Sequence, residues 1–140
     1  MKRAYPVFIK QEGKDYLVYV PDMDIYTEGT DLADAMEMAR DAIGLKGIDF
    51  EDDGKDIPVA SDYATARRIA SEEADDFDYS DGVLTLVNID FDDYRRKVDN
   101  RSVRRNVTLP NWLNIAAEKE NLNVSRVLQD ALMNQLNLQK

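Results

Sequence analysis

Val103-Arg104-Arg105-Asn106-Val107-Thr108-Leu109, closed by Pro110, reads as a short strand with two unlike faces. Side chains on a strand alternate, so Val103, Val107 and Leu109 share one face while Ser102, Arg104, Asn106 and Thr108 share the other. The first face can be buried. The second carries side chains suited to base edges: Arg bonds guanine in bidentate fashion, Asn does the same to adenine, and Thr offers a hydroxyl and a methyl. Arg105 breaks the alternation, and from a strand end its head can swing out to a phosphate, with Arg101 beside it as a second positioning charge.

Downstream, Pro110 ends the strand and suits the first turn of a helix, where its missing N–H costs nothing. Trp112, Leu113, Ala116 and Ala117 then recur at helical spacing up to Glu120. Asn121 can take a left-handed helix-ending conformation, and Asn123 is a good N-cap for a second helix. Val124, Val127, Leu128, Ala131, Leu132 and Leu136 form a one-sided apolar stripe on that helix. The free amides of Val124 and Ser125, with Asn123, offer a phosphate site at its start.

A module this short buries too little surface to fold alone, and a lone strand leaves both edges unpaired. Two copies solve both problems by pairing their strands and interlocking their helices. The dimer core is then Val107, Leu109, Leu113, Val127, Leu128, Ala131, Leu132 and Leu136. The order strand, Pro, helix, Asn-rich turn, helix resembles the ribbon-helix-helix repressors over residues 102 to 138. That resemblance implies a two-stranded ribbon in the major groove of operator DNA, read by Arg104, Asn106 and Thr108. The plainer alternative is a helical hairpin used for dimerisation alone.

Charge divides the chain. Residues 101 to 140 carry six basic side chains against three acidic ones, a net +3, so within the overall −10 the first hundred residues stand at −13. A region that acidic is repelled by phosphate and calls for a basic partner. The 140 residues suffice for one compact domain and a small appended module. The expected organisation is an acidic domain over 1–91, a linker over 92–100 and the DNA-binding and dimerisation module over 101–140. With neither His nor Cys present, imidazole bases, thiolate nucleophiles and disulfides are excluded. There is no cofactor motif, and no apolar run of membrane-spanning length or signal-peptide core, so a cytoplasmic protein with no membrane association is expected.

The acidic region opens with two β-branched and aromatic runs, Ala4 to Ile9 and Tyr16 to Val20, joined by Gln11-Glu12-Gly13-Lys14-Asp15. Pro6 places the first strand at an edge or disturbs its early part. Ile25-Tyr26-Thr27 is a third strand. Thr30 or Asp31 caps a helix faced by Leu32, Ala35, Met36, Ala39 and Ile43, which Gly44 or Gly47 stops, and Asp49 to Asp56 is a loop. Ser61 caps a second helix faced by Ala66, Ile69 and Ala70. The near-continuous apolar run Val83 to Ile89 predicts a strand covered on both faces. The fold class is α+β, a small antiparallel sheet with helices.

Tyr5-Pro6-Val7-Phe8-Ile9, Tyr16-Leu17-Val18-Tyr19-Val20-Pro21-Asp22, then Tyr26-Thr27-Glu28-Gly29-Thr30-Asp31 and the Ala-rich acidic helix Ala33 to Ala42 resemble the HicB antitoxin family. The resemblance implies a partial ribonuclease-H-like domain that binds and blocks HicA, a small basic ribonuclease toxin, with Asp22, Asp24 and Glu28 on the toxin-facing surface. It also implies repression of the protein's own operon, and a heterotetramer or larger assembly with toxin. The reading is of a non-enzyme. Two rivals stand beside it: a repressor whose first domain senses a small ligand, and a metal-dependent nuclease built on Asp22, Asp24, Asp76, Asp78 and Asp90.

Overall fold

Gly13, at φ +62°, turns the chain between strands β1 (Lys2–Glu12) and β2 (Asp15–Val20), which pair antiparallel with Glu12 opposite Asp15. A 3₁₀ turn, Pro21–Met23, leads through Asp24 at φ 51° into β3 (Ile25–Gly29). Strand β4 (Val83–Asp90) pairs antiparallel with β1 on the other side. The sheet order is β3-β2-β1-β4. The computed structural model describes residues 1–73, 77–79 and 81–138. Asp76, one carboxylate of the nuclease reading, and Lys140 lie outside the described residues.

Pro6 therefore sits in an interior strand. Its pairing partner across β4 is Leu86, whereas β1 pairs with β2 only from Phe8 onward, so the missing N–H falls where β2 has already ended. Strand alternation puts Tyr5, Val7, Ile9, Val18, Val20, Val87 and Ile89 on one face, all buried beneath helix α1 (Leu32–Asp52) with Ala35, Ala39 and Ile43. Phe8, Tyr19 and Leu84 point the other way, against Ala66 and Ala70 of helix α2 (Tyr63–Glu72).

Helix α1 is capped by Asp31, whose side chain accepts from the Asp34 amide at 2.8 Å. It runs through both glycines expected to stop it. A Cβ on Gly44 would lie 2.6 Å from the Tyr94 ring, and one on Gly47 would lie 2.3 Å from the Phe91 ring. These glycines are close-approach positions for aromatic rings, and the helix continues to Asp52. The rings belong to helix α3 (Phe91–Val98), which replaces most of the expected linker. Asp90 caps it, accepting from the amides of Asp92 and Asp93, and Arg95, Arg96 and Lys97 fill its last turn, as the helix dipole favours. Tyr94 donates to Asp41 at 2.6 Å, and Arg95 pairs with Glu51 and Asp52 at 3.3 and 3.0 Å, so α3 is fastened to α1.

The loop before α2 is also pinned. Arg3 and Tyr5 donate to the carbonyl of Pro58, and Arg3 to that of Ile57. Asp62, one residue after the expected Ser61, caps α2 by accepting from the Thr65 amide at 2.8 Å. Strand β4 is covered on one face and open on much of the other, with Leu86 65% exposed, contrary to the expectation of a strand buried on both sides.

The chain divides into two compact units, Met1–Arg101 and Ser102–Lys140. The second holds helices α4 (Asn111–Lys119) and α5 (Val124–Gln135). Pro110 lies at the N-cap of α4, one position outside the expected first turn, and its carbonyl accepts from the amides of Leu113 and Asn114. Residues 101–110 form neither helix nor paired strand in the single chain. A strand is completed by a ladder partner, and the described residues of one chain supply none.

Candidate functional site

In the second unit the turn is built as its asparagines require. Asn121 takes φ 52°, the left-handed conformation that ends α4. The Asn123 side chain accepts from the Arg126 amide at 3.1 Å and caps α5, so it is engaged in holding the helix start beside the amides of Val124 and Ser125. Arg126 and Asp130 pair at 3.7 Å along the helix.

Val103, Arg104, Arg105 and Asn106 run beside Ser125, Leu128, Gln129 and Leu132 of α5 and line a groove of about 570 Å³ with them. Two of the three base-reading candidates, Arg104 and Asn106, thus share a surface with Arg105 and Ser125 from the phosphate-contacting set. Thr108, Asn123 and Val124 lie outside this lining. Arg101 falls in the first unit and is held by Asp99, with N–O distances of 2.8 and 3.1 Å. That hydrogen bond, with burial opposing it, lowers the Asp99 carboxyl to about 2. Arg101 is paired with Asp99 in this structure.

Among the described residues of the second unit, none is buried. Val103 is 85% exposed and Leu132 49%, and Val107, Leu109, Leu113, Val127 and Leu136 are all exposed. Leu128 is half-buried, whereas Ala131 is exposed. The apolar stripe of α5 has formed as a helix face but covers no core.

The acidic unit shows a different picture at its expected site. Asp22 accepts from the Ser61 amide at 2.9 Å and from the Ser61 hydroxyl, tying the 3₁₀ turn to the loop before α2. Its carboxylate is structurally committed. Asp24 and Glu28 are exposed. Tyr26 lies between them, stacked on Tyr19 with ring centroids 4.9 Å apart and planes at 21°. Tyr19 donates to Glu73 at 3.1 Å, and burial together with that carboxylate pushes its phenol up. Asp90 is engaged as the α3 cap. No group of three or more acidic side chains close enough to hold a metal ion occurs among the described residues, and Asp22 and Asp90 serve a turn and a helix cap. No helix among the described residues is long and apolar enough to cross a membrane.

A family model described as HicB-like antitoxin of bacterial toxin-antitoxin system matches residues 5–131. The chain belongs to this HicB-like antitoxin family. Among solved structures, a chain of a toxin-antitoxin complex from Streptococcus pneumoniae is similar at 22% identity, with 96% of this chain and 99% of that chain covered and a TM-score of 0.58. The antitoxin HicB of Burkholderia pseudomallei is similar at 23% identity over 96% of each chain, with a TM-score of 0.48. No curated protein sequence matches.

The HicB-like assignment spans both units, and the likeness to the chain of the Streptococcus pneumoniae complex is one of fold, an α+β arrangement of four antiparallel strands and helices. In this HicB-like chain the Tyr19–Tyr26 pair stands out only once the strands are paired. Its signal lay in the register: Tyr19 and Tyr26 sit on adjacent strands at directly opposed positions of the hairpin-like pair β2–β3.

Proposed function

We propose that this antitoxin neutralises a HicA-like basic ribonuclease with its acidic unit and represses its own operon as a dimer through residues 102–138. The observation that carries the second half is a helical pair with a formed apolar stripe and, among its described residues, none that is buried. A second copy supplies the missing core, and the same act pairs two 103–109 segments into a ribbon. Arg104, Asn106 and Thr108 then stand on one face of that ribbon, with Arg105 and the α5 start against phosphate. The partial ribonuclease-H-like and ribbon-helix-helix architectures belong to this reading.

The −13 of the first hundred residues supports a basic partner for the other half. Asp24, Glu28 and the exposed Tyr26 form the toxin-facing surface, with Asp22 shaping it from behind. Toxin joins the antitoxin dimer in a heterotetramer or a larger assembly. Capture of the tagged chain from its native host at low salt, with mass spectrometry of what accompanies it, tests the pairing. A small basic protein whose RNA cleavage stops on adding the antitoxin bears the proposal out. A chain that comes down alone, or a companion without ribonuclease activity, overturns it.

A further inference from the structure

Strand β4 ends the sheet, and among the described residues it pairs with β1 on one side and with no strand on the other. Which of its backbone groups face outward follows from Pro6. In an antiparallel ladder, opposed residues alternate between exchanging both hydrogen bonds and exchanging none. Pro6 has no N–H to exchange and lies opposite Leu86, so Leu86 turns its N–H and C=O away from β1. By the two-residue period, Leu84 and Asn88 do the same. Arg40 donates to the Asn88 carbonyl at 3.0 Å, which is the outward group that this parity requires. Among the described residues, Leu84 and Leu86 are left as the open rungs.

Nothing in the strand guards that edge. Lys, Pro, bulges and inward charges are the usual protections, and Val83 to Ile89 contains none of these residue types within the most acidic part of the chain. Val83 is 58% exposed on one face. On the other, Leu84 and Leu86 border a groove of about 390 Å³ shared with Ala4, Pro6 and Tyr63, and with Ser61 and Asp62 at the start of α2.

We infer that β4 pairs antiparallel with β4 of a second copy about a two-fold axis at Thr85. This register uses both open rungs: Leu84 of each copy exchanges hydrogen bonds with Leu86 of the other. It sets Val83 opposite Val87 and Thr85 opposite Thr85, which are favourable cross-strand pairs. It leaves Asn88, already engaged by Arg40, outside the central pairs. A self-complementary strand must carry no charge near the axis, because each charge would meet its like, and this uncharged run meets that condition. A basic partner would instead be drawn to the carboxylates that surround it. The contact is separate from the helical interface of residues 102–138 and does not depend on it.

The chain has no cysteine, so Thr85→Cys creates a unique thiol. Across the axis its Cα lies about 4.5 Å from its copy in a non-hydrogen-bonded pair, within disulfide reach. The full chain carrying Thr85→Cys is oxidised mildly and run on a non-reducing gel, with Glu28→Cys, exposed on the opposite edge strand, as the control. Rapid dimeric cross-linking of Thr85→Cys at least tenfold over the control is expected. It should persist when Leu132→Asp is added and fall to the control rate when Leu86→Lys is added. Circular dichroism confirms that each variant is folded. Equal cross-linking of the two cysteines, or cross-linking indifferent to Leu86→Lys, overturns the inference. Loss on adding Leu132→Asp shows proximity imposed by the helical interface, and overturns it as well.

Discussion

Leu132→Ala probes the helical interface on which the proposed DNA binding depends. In the single chain Leu132 is 49% exposed, so a second copy can remove about half of its surface from water. Full burial of a leucine is worth about 1.5–3 kcal/mol, which makes the half at stake about 1 kcal/mol per chain. Two copies lose it at once, so the dimer weakens by about 2 kcal/mol, or roughly 30-fold in its dissociation constant. Measuring this in a Leu86→Lys background removes the β4 contact and leaves one interface to titrate by analytical ultracentrifugation. Helix content should be unchanged, because alanine is the better helix former. Operator affinity measured by fluorescence anisotropy should fall in parallel at protein concentrations near the dimer midpoint. A dissociation constant within threefold of the parent would refute the placement of the α5 stripe at the interface.

Arg104→Ala should cost about 1–3 kcal/mol of operator affinity and relax the preference at one base pair while leaving toxin inhibition intact; competition with single-base operator variants measures both. Ser125→Glu puts a carboxylate beside the α5 amides, and anisotropy with operator and random DNA should show equal losses, a selective loss contradicting a phosphate role. Gly47→Ala drives a methyl into the Phe91 ring, and thermal unfolding should show a loss of about 1–3 kcal/mol with α3 detached from α1. Heating the full chain at several concentrations should give two transitions, because the first unit contains its own core and the second does not; the one assigned to the helical unit should move with concentration and the other stay fixed in the Leu86→Lys background.

Local chemistry made much of this chain legible before its structure. Gly13 turns the first hairpin, Asn121 adopts the left-handed conformation, and Asn123 and Asp31 cap the helices that their positions suggested. What escaped reading is long-range. Gly44 and Gly47 look like stops until Tyr94 and Phe91 arrive from 50 and 44 residues away to fill the space over them. The α3 helix itself was written in Asp90, Asp92 and Asp93 at one end and Arg95 to Lys97 at the other, yet its poverty in large apolar residues made it resemble a linker. Asp22 showed its charge in the sequence and its partner, Ser61, only in the fold. The apolar run of β4 looked doubly covered because hydrophobicity alone does not distinguish a buried strand from an unprotected edge.

The two units solve the problem of stability in opposite ways, and that difference gives the proposed repression its sensitivity. The acidic unit encloses Tyr5, Val7, Val18, Ile43 and Val87 within a single chain and can fold at any dilution. The helical unit leaves every described residue at least partly open to solvent, so its cohesion depends on the number of chains nearby. The proposed reading face of Arg104, Asn106 and Thr108 can exist only when two strands hold each other in register, since an unpaired segment has no fixed alternation of faces. In the proposed repressor, dimer formation and operator recognition are therefore one equilibrium, and its position follows antitoxin concentration by mass action. Under the proposed function an excess of antitoxin would close the promoter through this equilibrium, while a shortage would reopen it without any change in the acidic unit proposed to hold the toxin.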